Sequence, residues 1–149
     1  MLEVSIDLGN VPSVLQALAN ERVAQDAVNA MAESYLDDTL NWIKAGRAFT
    51  TRTGQLEQSI GVRYLLGGGA EVYTNAEYAG CVETGTRPHV INAKNGKALK
   101  IPGAGGFIFR RSVNHPGSRP FPYFYADADN RMEHMKAAGL LVLARFMNE

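Results

Sequence analysis

From Ser13 to Ala45 the chain contains neither glycine nor proline, and alanine is abundant throughout. A stretch this long without either helix breaker is committed to helix more strongly than any other part of the sequence. Val14, Leu15, Leu18, Val28, Met31, Tyr35, Trp42 and Ile43 recur at roughly helical intervals. Ser13 stands where an N-cap belongs and Gly46 where a helix ends. The reading is one long amphipathic helix from Pro12 or Ser13 to about Ala45, or two with a break. The chain of 149 residues, 46% hydrophobic and 20% charged, then has material for one core and one domain spanning 1–149.

Leu2 to Leu8 alternates apolar and polar as a half-buried strand does. Beyond the helix, Arg47–Gly54 is polar and reads as a loop, with mobility expected at 47–54 and again at 94–117. Ser59–Leu66 and Ala70–Thr74 flank three glycines and read as a hairpin. Ala76–Thr84 is a short helix candidate with Tyr78 and Val82 on one face. His89–Lys94 and Lys97–Ile101 surround Asn95-Gly96, a dipeptide suited to a type I′ turn, so these two runs are expected to pair. Phe107–Val113 reads as a further strand, with Phe107 and Phe109 on a core-facing side. Tyr123 to about Phe146 closes the chain as a helix, with Tyr125, Met132, Met135, Leu143 and Phe146 as core candidates and Gly139 as a possible bend. The order predicts an α+β fold: a mostly antiparallel sheet packed by the long N-terminal helix and the C-terminal helix, with a protruding basic hairpin.

Charge is balanced in total and segregated in sequence. Fifteen Lys and Arg offset fifteen Asp and Glu, yet residues 1–84 hold eleven acids against five bases. From Gly85 to Pro120 there is no acid, only Arg87, Lys94, Lys97, Lys100, Arg110, Arg111 and Arg119. A solvated hairpin whose lysines guard an edge strand accounts for that block. So does a surface that meets an acidic partner or a nucleic-acid backbone. A third account has the acidic half of one copy attracting the basic middle of another. Overall neutrality argues against a protein that coats nucleic acid over its whole surface.

Catalytic patterns are lacking. His89, His115, His134 and Cys81 show no metal-ligand spacing, and His89 and His115 lie beside prolines in expected loops, where solvated histidines are common. Cys81 reads as a small buried hydrophobe. Asp37-Asp38 and Asp127/Asp129 point apart on a helix, the latter about 200° from each other, so neither pair converges on one atom. No serine elbow or phosphate loop is present, and no cofactor, metal or enzymatic activity is expected. No apolar run reaches the roughly 20 residues a membrane span needs, and the N-terminus lacks a signal-peptide pattern, so the expected address is a cytoplasm.

The loops and turns carry a resemblance. Thr51-Arg52-Thr53-Gly54-Gln55-Leu56-x-x-Ser59-Ile60 is followed by Tyr78-Ala79-x-x-Val82-Glu83-x-Gly85-Thr86-Arg87-Pro88-His89. Then come Asn95-Gly96-Lys97-Ala98-Leu99, Ser112-Val113-Asn114-His115-Pro116-Gly117 and Arg119-Pro120-Phe121-Pro122-Tyr123-Phe124. In order and spacing, over about residues 47–130, this succession resembles the tail-component family of tailed bacteriophages and prophages. These are the neck or tail-completion proteins typified by the gene-ten product of HK-type lambdoid phages. The resemblance implies structural work without catalytic residues: a ring, six-fold or a multiple, at the head–tail junction of the virion, assembled in the host cytoplasm. Other connector, tail-tube or terminator proteins would be its partners, and DNA would pass without sequence reading. It further implies an assembly interface on Arg47, Thr51, Arg52, Glu83, Arg87, Lys94, Lys97, Lys100, Arg110 and Arg111, with structural turns at Gly85, Asn95, Gly96, Pro116 and Gly117. A tail terminator or minor tail protein is the alternative within this class, and a small nucleic-acid-binding module the alternative outside it.

Overall fold

The computed structural model describes residues 2–7, 21–94 and 97–147. The expected cap Ser13, the apolar positions Val14, Leu15 and Leu18, and the Asn95-Gly96 turn lie outside them. In chain order the elements are β1 (Glu3–Asp7), α1 (Glu21–Lys44), α2 (Gln55–Ser59), β2 (Ile60–Tyr64), β3 (Gly69–Thr74) and α3 (Ala79–Thr84). They continue with β4 (His89–Asn92), β5 (Leu99–Gly103), β6 (Gly106–Arg110), β7 (Ser112–His115) and α4 (Ala128–Met147). The fold is α+β, with antiparallel sheets and a long helix packed against the C-terminal one.

One antiparallel sheet runs in the order β1-β3-β2, with Val72 facing Val4 on one side and Val62 on the other. Alternation along β3 turns Ala70, Val72 and Thr74 inward, where all three are buried. It turns Glu71 and Tyr73 outward, where Arg63 pairs with Glu71 at 3.0 Å and stacks over the Tyr73 ring. Helix α1 buries Val23, Ala27, Val28, Ala32, Tyr35, Thr39 and Ile43, a stripe at three- and four-residue steps. Gly46 closes α1 as expected, its N–H bonding Ile43 O at 2.8 Å.

Helix α4 puts Arg131, Met135 and Gly139 on one buried stripe. Helix α4 runs uninterrupted through Gly139, and the glycine makes room: a Cβ there would sit 2.9 Å from Met31 Cγ and Sδ, so it lets α1 approach. Met135 is core as expected, and Leu143 is half-buried. Tyr125, Met132 and Phe146 are 47%, 51% and 40% exposed, because the inward stripe passes through neighbouring positions. The helix also starts later than the sequence suggests, at Ala128. Residues 123–125 are held outside it by bonds described below, and Asp127 takes a positive φ of 55°.

Helix α2 was not anticipated from sequence, its few residues being too short to show periodicity. Cys81 is exposed rather than buried, since α3 presents Ala79 and Glu83 inward and Cys81 lies on the other side.

Strand pairing in the basic segment differs from expectation. β4 pairs with β7, not β5, and β5 pairs with β6. The run expected as one strand, 107–113, is broken at Arg111 into β6 and β7. Both facts follow from where the segment begins and ends. Thr86 and Ser118 bridge each other at its root, and the same register continues through His89↔His115 to Asn92↔Ser112 and an Ala93 N–H···O Arg111 bond of 2.8 Å. The chain reversal falls between Gly103 and Gly106. The result is a single arm of two-stranded ribbon, β4–β7 near the body and β5–β6 beyond. Two strands have no second layer to bury against, so Phe107 and Phe109 are 58% and 62% exposed instead of filling the core.

Candidate functional site

The site is the arm together with the frame that holds its root. That frame starts from a buried acid. Glu83, 7% exposed, accepts main-chain N–H groups from Tyr123 and Phe124 at 2.9 Å each and from Tyr125 at 3.1 Å. On the other side of residue 124 is a buried base. Arg131 Nη1 donates to Phe124 O at 2.7 Å and to Thr39 Oγ1 at 3.0 Å, and the Tyr35 hydroxyl donates to the same Phe124 oxygen at 2.7 Å. The Arg131 guanidinium lies over the Tyr35 ring and near the Trp42 ring. A carboxylate and a guanidinium thus meet through one residue of main chain, which polarises both of its peptide groups and seats Tyr123 and Phe124, each fully buried, in the core. Burial and the neighbouring Glu83 charge push the Tyr123 phenol well above its ordinary pKa, and burial raises that of Tyr35.

Glu83 therefore does not belong among interface residues. Its oxygens are spent inside the molecule, and it fixes the geometry from which the arm departs. Arg131 was not singled out from sequence. The signal was present, as the lone cation on an otherwise apolar 131–135–139 stripe.

Two glycines complete the root. Gly85 (φ 74°) and Gly117 (φ 86°) face the opposite strand so closely that a Cβ on Gly85 would lie 2.5 Å from Ser118 O, and one on Gly117 would collide with Thr86 O. Only glycine fits both the positive φ and the approach. Thr86 and Ser118 exchange main-chain bonds of 3.0 and 3.1 Å between them, and Phe121 N–H bonds Val82 O at 2.9 Å. Gly85 and Gly117, expected as turns, thus serve as close-approach positions in the paired root of the arm, with Pro116 exposed beside the second. His89 and His115 sit in strands rather than loops, directly opposite, with ring centroids 5.0 Å apart. His89 Nδ1 bonds Arg87 O, and His115 Nδ1 accepts the Gly117 N–H.

Along the ribbon, alternation creates two faces. Phe107, Phe109, Pro102 and Lys100 share one, and the Lys100 ammonium lies 3.8 Å from the Phe107 ring centroid. Leu99, Ile101, Ile108 and Arg110 share the other. Val90, Ile91, Phe107, Ile108 and Phe109 are all more than a third exposed. Arg87, Lys94, Lys97, Lys100, Arg110 and Arg111 are exposed, and none makes a salt bridge among the described residues.

The 47–54 loop lies on the body. Phe49 packs edge-on against Tyr123, Arg47 stacks over Trp42, and Thr51 bonds Glu57. Arg52 is exposed. No group of three or more metal-ligating side chains occurs among the described residues, and no helix there is long and apolar enough to cross a membrane. No protein-family model matches the chain, and no curated protein or solved structure is significantly similar to it.

Proposed function

We propose that this chain is a structural subunit that assembles through its basic arm, in the manner of the tail-completion or neck proteins its turn residues resemble. In that reading it forms a ring at a phage head–tail junction, where a finished tail joins a filled head. One observation carries the proposal: a two-stranded ribbon with exposed apolar side chains on both faces, rooted in a rigid frame. Such a ribbon is marginal in water by itself, and its exposed apolar surface is of the kind that partners cover. The frame of Glu83, Arg131, Gly85 and Gly117 fixes the angle of departure, which a repeating interface requires.

The unpaired bases of the arm favour a second reading, a small nucleic-acid-binding module. A salt-dependent shift of DNA by the free protein would support it, whereas binding to another virion protein that persists in salt supports assembly.

The deciding experiment is electron microscopy of lysates from the parent phage or prophage with an early stop codon in this gene. Separate full heads and normal-length tails are the expected outcome. Tails of uncontrolled length would keep the structural class and move the role to termination. Intact infectious particles would overturn the structural reading.

A further inference from the structure

A groove of about 270 Å³ opens on the body between the 49–56 segment and the entrance to the arm. Phe49, Leu56, Tyr78, Val82 and Phe121 give it apolar walls, and Arg52 lines it as well. It is smaller than the roughly 300 Å³ at which pockets for drug-sized ligands begin, and has room for an aromatic side chain. The most exposed aromatic rings of the arm are Phe107 and Phe109, both on the face that carries Lys100.

We propose that the Phe107/Phe109 face of one copy's ribbon seats in this groove on a second copy. The inference rests on the assembly reading above and specifies its interface. Shape and polarity agree, since aromatic anchors in apolar pockets are the usual centre of a protein interface. Charge agrees between the two surfaces taken as wholes, although the charged side chain that lines the groove itself is Arg52. Residues 1–84 hold eleven acids against five bases, with Glu77 exposed next to Tyr78 in the chain, while the segment of the inserting face has bases and no acid. The arm and the groove are different surfaces of the same chain, so the contact is heterologous. Repeated from copy to copy it continues as a series and closes into a ring if the rotation permits.

The test uses the full chain with the exposed native thiol removed by Cys81→Ser. Ala104→Cys is introduced in one preparation and Thr53→Cys in another, both at exposed positions beside the contact, so that Phe107, Phe109 and Tyr78 stay in place. The two are mixed and treated with a short bis-maleimide. The expected result is a cross-linked pair containing one of each variant, and a ladder of higher species when both substitutions are in one chain. Adding Lys100→Glu to the arm partner lowers the yield about threefold in low salt, and Glu77→Lys on the groove partner restores it. A cross-link confined to single chains overturns the proposal. So does a chain that sediments as an oligomer yet gives no mixed pair, an outcome that leaves the assembly reading standing. A chain that neither cross-links nor self-associates at millimolar concentration overturns both.

Discussion

Glu83 shows how one side chain can set the direction of a whole segment. Three N–H groups converge on its two oxygens, which no neutral side chain can accept equally. Glu83→Gln keeps the shape but turns an NH2 group toward main-chain donors. The expected cost is roughly 2–3 kcal/mol, read from the midpoint of urea unfolding. An unchanged midpoint would mean that the carboxylate does not hold residues 123–125. The buried phenols make a second prediction at this scale. Tyr123 and Tyr35 have raised pKa values in the folded state, so above the ordinary value near 10 the unfolded chain loses their protons first. Their contribution to stability is full below pH 10 and declines as pH rises from there toward the folded values. Tyr123→Phe should flatten that alkaline decline. An identical slope in the variant would remove Tyr123 from the account.

Among the elements, α1 and α4 come close together where Gly139 faces Met31. Gly139→Ala sets a helix-propensity gain of about 1 kcal/mol against displacement of a flexible methionine side chain, so the net change in stability should stay below about 1 kcal/mol. Gly139→Leu has no such relief and should lower the thermal midpoint well beyond the alanine variant. Equal midpoints would show that the helices are not in close contact there. The same helix shows what sequence can and cannot reveal. The stretch free of glycine and proline announces α1, and the glycine-flanked alternating runs announce β2 and β3, because these signals are local. The later start of α4 was not legible, since it depends on Glu83, forty residues upstream. Nor was the pairing of β4 with β7. Asn95-Gly96 offers a local turn, but the register is imposed from the root, where Gly85 and Gly117 bring the two ends of the segment together. The candidate site was legible as charge and composition: the acid-free block became the arm. Its exposed aromatic face is not legible, because alternation identifies a strand's two faces without saying whether a second layer covers either one.

For the molecule as a whole, the structure separates into a body that holds the core and an arm that does not contribute to it. No described residue from 89 to 120 belongs to the hydrophobic core, which α1, α2, β2, β3, α3, α4 and the Tyr123-Phe124 anchor supply. The two parts should therefore be separable in energy. Ala93 and Arg111 face each other across the ribbon, so residues 94–110 can be replaced by Asn-Gly, a loop of the length that closes two paired strands. The shortened chain should keep its thermal midpoint within about 3 °C of the parent, about 1 kcal/mol at most, because the removed residues stabilise nothing in the body. Self-association, measured by sedimentation, should be lost. In the intact chain it should weaken between low and physiological salt, because exposed bases and acids are screened over about 8–10 Å. It should not vanish, because the aromatic contact is indifferent to salt. A large drop in the midpoint would mean that the ribbon folds back onto its own body, making it an internal clasp. A midpoint and an association both unchanged would leave the arm without a role in assembly and return attention to its unpaired bases. The asymmetry between stability and association is thus the property that distinguishes an arm built for a neighbour from one built for its own chain.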